Sequence, residues 1–157
     1  MSSDDNLRLE NQLCVALYRA SRAVTGCYRP LLDDIGLTYS QYAVMLVLWE
    51  RQETTMRELG VALHLDSGTL SPLVKRLERL GLITRTRDPH DERILEVAIT
   101  DAGRALRPRA AAAQRSVEAM TSLDRAELAR MRDELNTLAD RMRLARGSEL
   151  DAPESAA

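Results

Sequence analysis

The stretch from residue 55 to residue 99 constrains the fold more than any other part of the chain. Thr55 and Glu58 carry the spacing of a capping box, in which a hydroxyl and a carboxyl group satisfy each other's backbone amides, and predict a short helix over Met56–Leu63. The turn His64, Leu65 and Asp66 follows, then a second helix expected to end at Leu80 with Gly81 as its cap. Two short helices across a tight turn, the second opening on small polar residues, have the helix-turn-helix form. Beyond them Ile83–Arg87 reads as a strand, and Leu95, Val97 and Ile99 alternate as another. The charged turn Asp88, Pro89, His90, Asp91, Glu92 and Arg93 between them makes the pair a wing. Pro72 removes an amide donor inside the second helix, so that helix either starts near Thr69 or is kinked.

Around this module the sequence is helical. Leu9, Leu13, Ala16, Ala20 and Val24 recur at three- and four-residue steps and predict an amphipathic helix over residues 7–25, ended by Gly26. Residues 30–35 read as a short helical turn stopped by Gly36. Thr38 and Gln41 form a second capping box, with Leu37 and Tyr42 as its staple, opening a helix to about residue 50. Residues 101–120 and 124–145 predict two long helices, the first bent at Pro108 and the second started by Asp124 and Glu127. Neither has a globule of its own to pack against, so pairing with another chain is their expected use. Residues 147–157 lack hydrophobic periodicity and are expected to be disordered.

A chain of 157 residues accommodates one domain. The organisation expected is therefore a single domain over 1–157, with dimerisation helices at 7–36 and 101–145 flanking a DNA-binding module at 38–100. The formal net charge is −2, and residues 66–93 hold six Lys/Arg against five Asp/Glu, leaving −3 for the rest. Charge does not single out a nucleic-acid binder, and the DNA argument rests on pattern. No apolar run spans a bilayer and the polar first six residues do not read as a signal peptide, so a cytoplasmic location is expected. There Cys14 and Cys27 are poor candidates for a standing disulfide, and a metal cage would need more Cys and His; no cofactor is expected. All five aromatic residues (Tyr18, Tyr28, Tyr39, Tyr42 and Trp49) fall in one stretch near the cysteines, and four of them carry phenolic hydroxyls.

The segments LENQLCVALYRASRAVTGCYRPLLDDIGLTYSQYAVMLVLWE and LDSGTLSPLVKRLERLGLITRTRDPHDERILEVAIT resemble the MarR family of bacterial regulators, and within it the organic hydroperoxide resistance regulators. The resemblance covers roughly residues 7–145. It implies a mainly α fold with a small β-hairpin wing, a winged helix-turn-helix assembled as a homodimer intertwined through its terminal helices. It further implies a repressor that holds palindromic double-stranded operator DNA and is released when Cys14 is oxidised by an organic hydroperoxide. Cys14 would be hydrogen-bonded by Tyr28 and Tyr39 of the partner subunit, with Tyr18, one helical turn away, lining the same pocket. Phenolic donors favour the thiolate that attacks peroxide, and the product is a sulfenic acid. The chain departs from those relatives that carry a resolving cysteine in the penultimate helix region, since none follows Cys27. A low-molecular-weight thiol is then expected to cap the sulfenate. Cys27 stays open between a packed bystander and a partner for an intersubunit disulfide with Cys14; within one chain the two lie roughly 20 Å apart along a helix, beyond disulfide reach.

For DNA, Ser67, Thr69 and Ser71 offer short hydrogen-bonding groups to phosphates and base edges, with Lys75 and Arg76 a turn further on to neutralise the backbone. Arg93 at the wing tip suits the minor groove, held by Asp91 through a bidentate pair, a spacing that also matches the family. Arg85 and Arg87 are secondary phosphate candidates, and His90 reads as a solvated loop residue. Three rivals remain: a regulator binding a small aromatic ligand in the dimer crevice, a thiol peroxidase, and a pure dimerisation module. No Arg or Glu positioned beside Cys14 is evident for the peroxidase.

Overall fold

The computed structural model describes residues 6–150. The chain divides into two compact units, one up to Val117 and one from Glu118 onward. After a 3-10 turn at Leu9–Asn11 the first unit contains α1 (Leu13–Asp33), α2 (Tyr39–Arg51), β1 (Glu53–Thr55), α3 (Met56–Leu63), α4 (Ser67–Arg79), β2 (Ile83–Arg87), β3 (Leu95–Ile99) and α5 (Asp101–Ala105). Helix α6 (Arg107–Met120) leaves it, and α7 (Arg125–Leu150) follows.

Helix α1 starts later than the pattern predicted and runs unbroken through Gly26 and Pro30. One interior glycine costs about 1 kcal/mol against alanine, which the burial of Tyr28 and Leu32 one turn apart, 8% and 1% exposed, outweighs. The terminator is Gly36. Its φ of 76° lets its amide reach Asp33 and that of Leu37 reach Leu32, both at 3.0 Å, closing the last turn. Both predicted capping boxes form, Thr38 with Gln41 on α2 and Thr55 with Glu58 on α3.

The start expected near Thr69 lies two residues earlier: α4 opens at Ser67 under an Asp66 cap and carries Pro72 inside it, past the first turn. Leu70, Val74 and Leu77, at helical spacing, are buried, and Gly81 (φ 73°) ends the helix as predicted. The wing is larger than a hairpin. A third strand, β1, pairs antiparallel with β3 to give the order β1-β3-β2, with Val97 opposite Thr54 on one side and Arg85 on the other. Three residues are too few to show alternation in a sequence.

The expected 101–120 helix is two helices, parted at Leu106, with Pro108 in the first turn of α6, where a missing amide costs least. Ala110, Ala113 and Val117 of α6 are buried, and Ala110 and Val117 join the core. One face of α6 therefore packs within its own chain, contrary to the expectation that it had nothing to pack against. Asp124 and Glu127 exchange backbone hydrogen bonds at the start of α7. That helix extends through residue 150, where a disordered tail was predicted from 147; residues 151–157 of that tail lie outside the described residues. Among the described residues no helix is long and apolar enough to cross a membrane.

Candidate nucleic-acid interface and cysteine face

The turn between α3 and α4 is fixed by backbone. His64 takes a left-handed conformation (φ 55°), and the Leu65 amide returns to the Gly60 carbonyl at 3.0 Å. A Cβ on Gly60 would stand 2.9 Å from the Leu65 oxygen, so the tight turn requires glycine there. Asp66 then accepts from the Thr69 amide at 2.8 Å and the Thr69 hydroxyl at 3.2 Å, contacts that hold its carboxyl below the usual range. Of the three hydroxyls singled out for DNA, Thr69 is thus tied to the cap, Ser71 is half-buried, and Ser67 is exposed. Lys75 and Arg76 are exposed on the same helix, away from the buried Leu70, Val74 and Leu77 stripe.

Arg85 does not reach outward as a free cation. Its Nε and Nη2 both donate to Glu78 Oε2, at 2.9 and 2.7 Å, clamping β2 to α4 and lowering the Glu78 carboxyl below its usual range. At the wing tip Asp88 accepts from the amides of His90 (2.6 Å) and Asp91 (3.2 Å), while Arg87 Nη1 donates to the Glu92 carbonyl at 2.7 Å. The predicted Asp91–Arg93 pair forms: Nε to Oδ1 at 3.0 Å and Nη2 to Oδ2 at 3.1 Å, with the Arg93 amide also on Oδ1. Arg93, hydrogen-bonded by Asp91, is held above its ordinary range and Asp91 below its own. The arginine side chain remains 90% exposed, so the fork is oriented without being covered. Glu78 and Asp88 were not singled out from the sequence, because what they hold is set by strand pairing and turn geometry.

On α1, Cys14 and Cys27 are both free and exposed. Because the helix is continuous, Tyr18 and Tyr28 each fall within about 40° of Cys14 around its axis, while Cys27 is turned about 140° away. Along the axis Tyr28 is roughly 21 Å from Cys14, so one chain does not bring them together. It does bring Tyr28 and Tyr39 together. Their ring centres are 5.5 Å apart, and both meet Tyr42, at 5.4 and 5.9 Å. Tyr42 in turn lies 6.2 Å from Trp49, whose Nε1 donates to the Gly103 carbonyl at 2.8 Å in the core. Tyr18 stands 62% exposed, paired with Arg22, a residue the sequence reading did not raise. Among the described residues no group of His, Cys, Asp and Glu is placed to hold a metal.

Residues 27–107 match the family model of the SarA/Rot transcriptional regulators. The chain is 41% identical over 134 residues to the organic hydroperoxide resistance transcriptional regulator of Bacillus subtilis (strain 168), covering 85% of this chain and 91% of that protein. It is 45% identical over 143 residues to the HTH-type transcriptional regulator TtmR of Methylorubrum extorquens (strain PA1), covering 87% and 73%. Among solved structures, reduced AbfR bound to DNA, a Staphylococcus epidermidis protein, superposes with a TM-score of 0.74 at 34% identity over 90% of this chain and 99% of that one. The capped helix-turn-helix, the three-stranded wing and these likenesses over nearly the whole length agree: the chain belongs to the MarR-type winged helix-turn-helix family of DNA-binding transcription regulators, in the organic hydroperoxide resistance branch.

Proposed function

We propose that this chain is a homodimeric repressor that releases its palindromic operator when an organic hydroperoxide oxidises Cys14. The observation that carries the reading is the arrangement on α1: Cys14 lies exposed at one end of a helical face and Tyr28, clustered with Tyr39, at the other. A two-fold axis crossing α1 near Ser21, midway between residues 14 and 28, would set Cys14 of each subunit against the phenols of its mate. Around that crossing Ser21, Val24 and Thr25 are small enough for close approach, and Leu17 adds an apolar contact beside them. Leu9, Leu13 and Val24 at the start of the chain are exposed, as are Met131, Leu135 and Met142 on α7. With Leu128 and Leu138 the latter form a seam of alternating three- and four-residue steps, the spacing of helices that pack on another helix. On this reading the exposed faces of the helices within 7–36 and 101–145, those of α1 and α7 above all, supply the dimer contacts, and residues 38–100 the DNA module.

In the reaction the Cys14 thiolate attacks the distal peroxide oxygen, the O–O bond breaks, and an alkoxide leaves to be protonated to the alcohol; sulfur is oxidised to the sulfenic acid. A small thiol then condenses with it, releasing water. Cys27, turned to another face of α1, has no part in this scheme. Ser67, Ser71, Lys75 and Arg76 meet the major groove and its phosphates, and Arg93, braced by Asp91, enters the minor groove.

A second reading has one observation behind it, a cleft of about 340 Å³ lined by Tyr42, Leu46, Trp49, Glu50, Arg107 and Gln114, whose aromatic walls and polar groups suit a small aromatic ligand. One experiment separates the two: fluorescence-anisotropy binding to the DNA upstream of the chain's own gene, with and without stoichiometric cumene hydroperoxide in the presence of a small thiol, for wild type and Cys14→Ser. Binding lost on oxidation in wild type alone supports the sensor. Binding that ignores peroxide in both proteins overturns it and leaves the ligand reading, while sustained peroxide consumption would indicate a peroxidase.

A further inference from the structure

Residues 11–32 carry Arg19, Arg22 and Arg29 and no Asp or Glu. Arg22 makes two contacts with one partner: its Nη1 donates to the Tyr18 hydroxyl at 3.3 Å, and its guanidinium carbon lies 5.5 Å from the centre of the Tyr18 ring. Among the described residues no carboxylate pairs with it. Cys14, Tyr18 and Arg22 follow one another at four-residue steps, and helical side chains lean toward the helix N-terminus, so Tyr18 leans toward the turn that carries Cys14 and Arg22 toward that of Tyr18.

We propose that Arg22 is a positioning residue for the sensor: it holds the Tyr18 phenol toward Cys14 and polarises it as the proton donor to the leaving alkoxide. This rests on the reading of Cys14 given above. A guanidinium has only donors, so at their contact the phenolic oxygen accepts, and its own proton is left for another acceptor. When the Cys14 thiolate takes the distal oxygen of the hydroperoxide, the O–O electron pair departs with the proximal oxygen as alkoxide. Tyr18 gives that oxygen its proton, producing the alcohol, and the resulting phenolate rests beside the Arg22 cation until solvent reprotonates it.

The test uses full-length protein and two electrophiles. Cumene hydroperoxide needs a proton for its leaving group; iodoacetamide expels iodide and needs none. For Arg22→Gln and Tyr18→Phe the expected result is sulfenate formation at Cys14 slowed about tenfold, with alkylation changed less than about twofold. Arg22→Lys recovers part of the loss, and the double variant Tyr18→Phe/Arg22→Gln is no slower than Tyr18→Phe alone. Wild-type peroxide rates in Arg22→Gln, equal losses in both reactions, or an additive double variant would overturn the proposal. If wild-type protein keeps its DNA after Cys14 is oxidised and capped by a small thiol, the sensor reading fails, and the rate contrast still decides the role of Arg22.

Discussion

Gly103 is the third residue of α5, and general helix propensity makes Gly→Ala there stabilising by about 1 kcal/mol. The structure reverses the sign. A Cβ at Gly103 would lie 2.3 Å from the Leu82 carbonyl oxygen and 2.7 Å from Ile99 Cγ1, where ordinary contacts start at 3.4 Å. Leu82 would have to withdraw by about 1 Å, and its oxygen accepts from the Thr100 amide at 3.0 Å, so the same movement strains or breaks that bond. Overpacking costs roughly 1–3 kcal/mol and the lost hydrogen bond about 1 more, against the propensity gain. Gly103→Ala is therefore expected to destabilise by about 1–3 kcal/mol, a fall in melting temperature of several degrees for a chain of this size. Gly26, with nothing within 4 Å of its Cβ position, is the control: Gly26→Ala should stabilise by roughly 0.5–1 kcal/mol. Guanidinium unfolding of both variants, at several protein concentrations to separate folding from dimerisation, measures this. Gly103→Ala as stable as wild type would refute the claim that α5 is seated against Leu82 by the absence of a side chain.

Asp91→Asn removes the charge that orients Arg93 and should weaken operator binding by about 3- to 5-fold, measured by anisotropy at fixed salt, with little change in unfolding; unchanged affinity would mean the brace is dispensable. Stability should also depend on acid in one direction. Hydrogen bonds from Thr55 to Glu58, from Thr69 to Asp66, from Arg85 to Glu78 and from Arg93 to Asp91 hold these carboxyl groups below their ordinary range. The unfolded chain therefore takes up protons first, and the contribution is complete above the ordinary carboxylate range and lost as pH falls through the lower folded values. Melting temperature should hold from pH 7 to about 5 and drop below about 4, less steeply in Asp66→Asn; a rise on acidification would contradict the assignment.

The caps were legible because their chemistry is local. Thr38 with Gln41, Thr55 with Glu58 and Asp124 with Glu127 each need only a three-residue spacing, and each forms. What the sequence hid was decided by tertiary context. Gly26 reads as a terminator until the burial of Tyr28 and Leu32 is known, and β1 is invisible until β3 offers it an edge. The same holds at the interface: the Asp91–Arg93 pair is a two-residue pattern, but the capture of Arg85 by Glu78 needs α4 and β2 laid side by side. Arg22 escaped notice because an arginine on an exposed helix face is ordinary until its partner is seen to be Tyr18.

The energetics of release bear on which oxidised form acts. Shifting a regulator from mostly bound to mostly free requires several kcal/mol of difference between its two forms. On the proposed reading, a sulfenate at Cys14 still offers an oxygen to the partner's phenols, so only part of each charge-assisted bond, worth about 1.5–3 kcal/mol in full, is lost, and two-fold symmetry doubles that partial loss without reaching the required scale comfortably. A capped thiol adds bulk as well as polarity at the end of the α1 face, where on this reading it meets the partner subunit's copy of the Tyr28, Tyr39 and Tyr42 cluster, whose packing continues through Trp49 to the Gly103 carbonyl. Close-packed aromatic rings do not yield gradually; displaced, they repack. The mixed disulfide is therefore the form that should let go of DNA fully, with the sulfenate alone giving partial release.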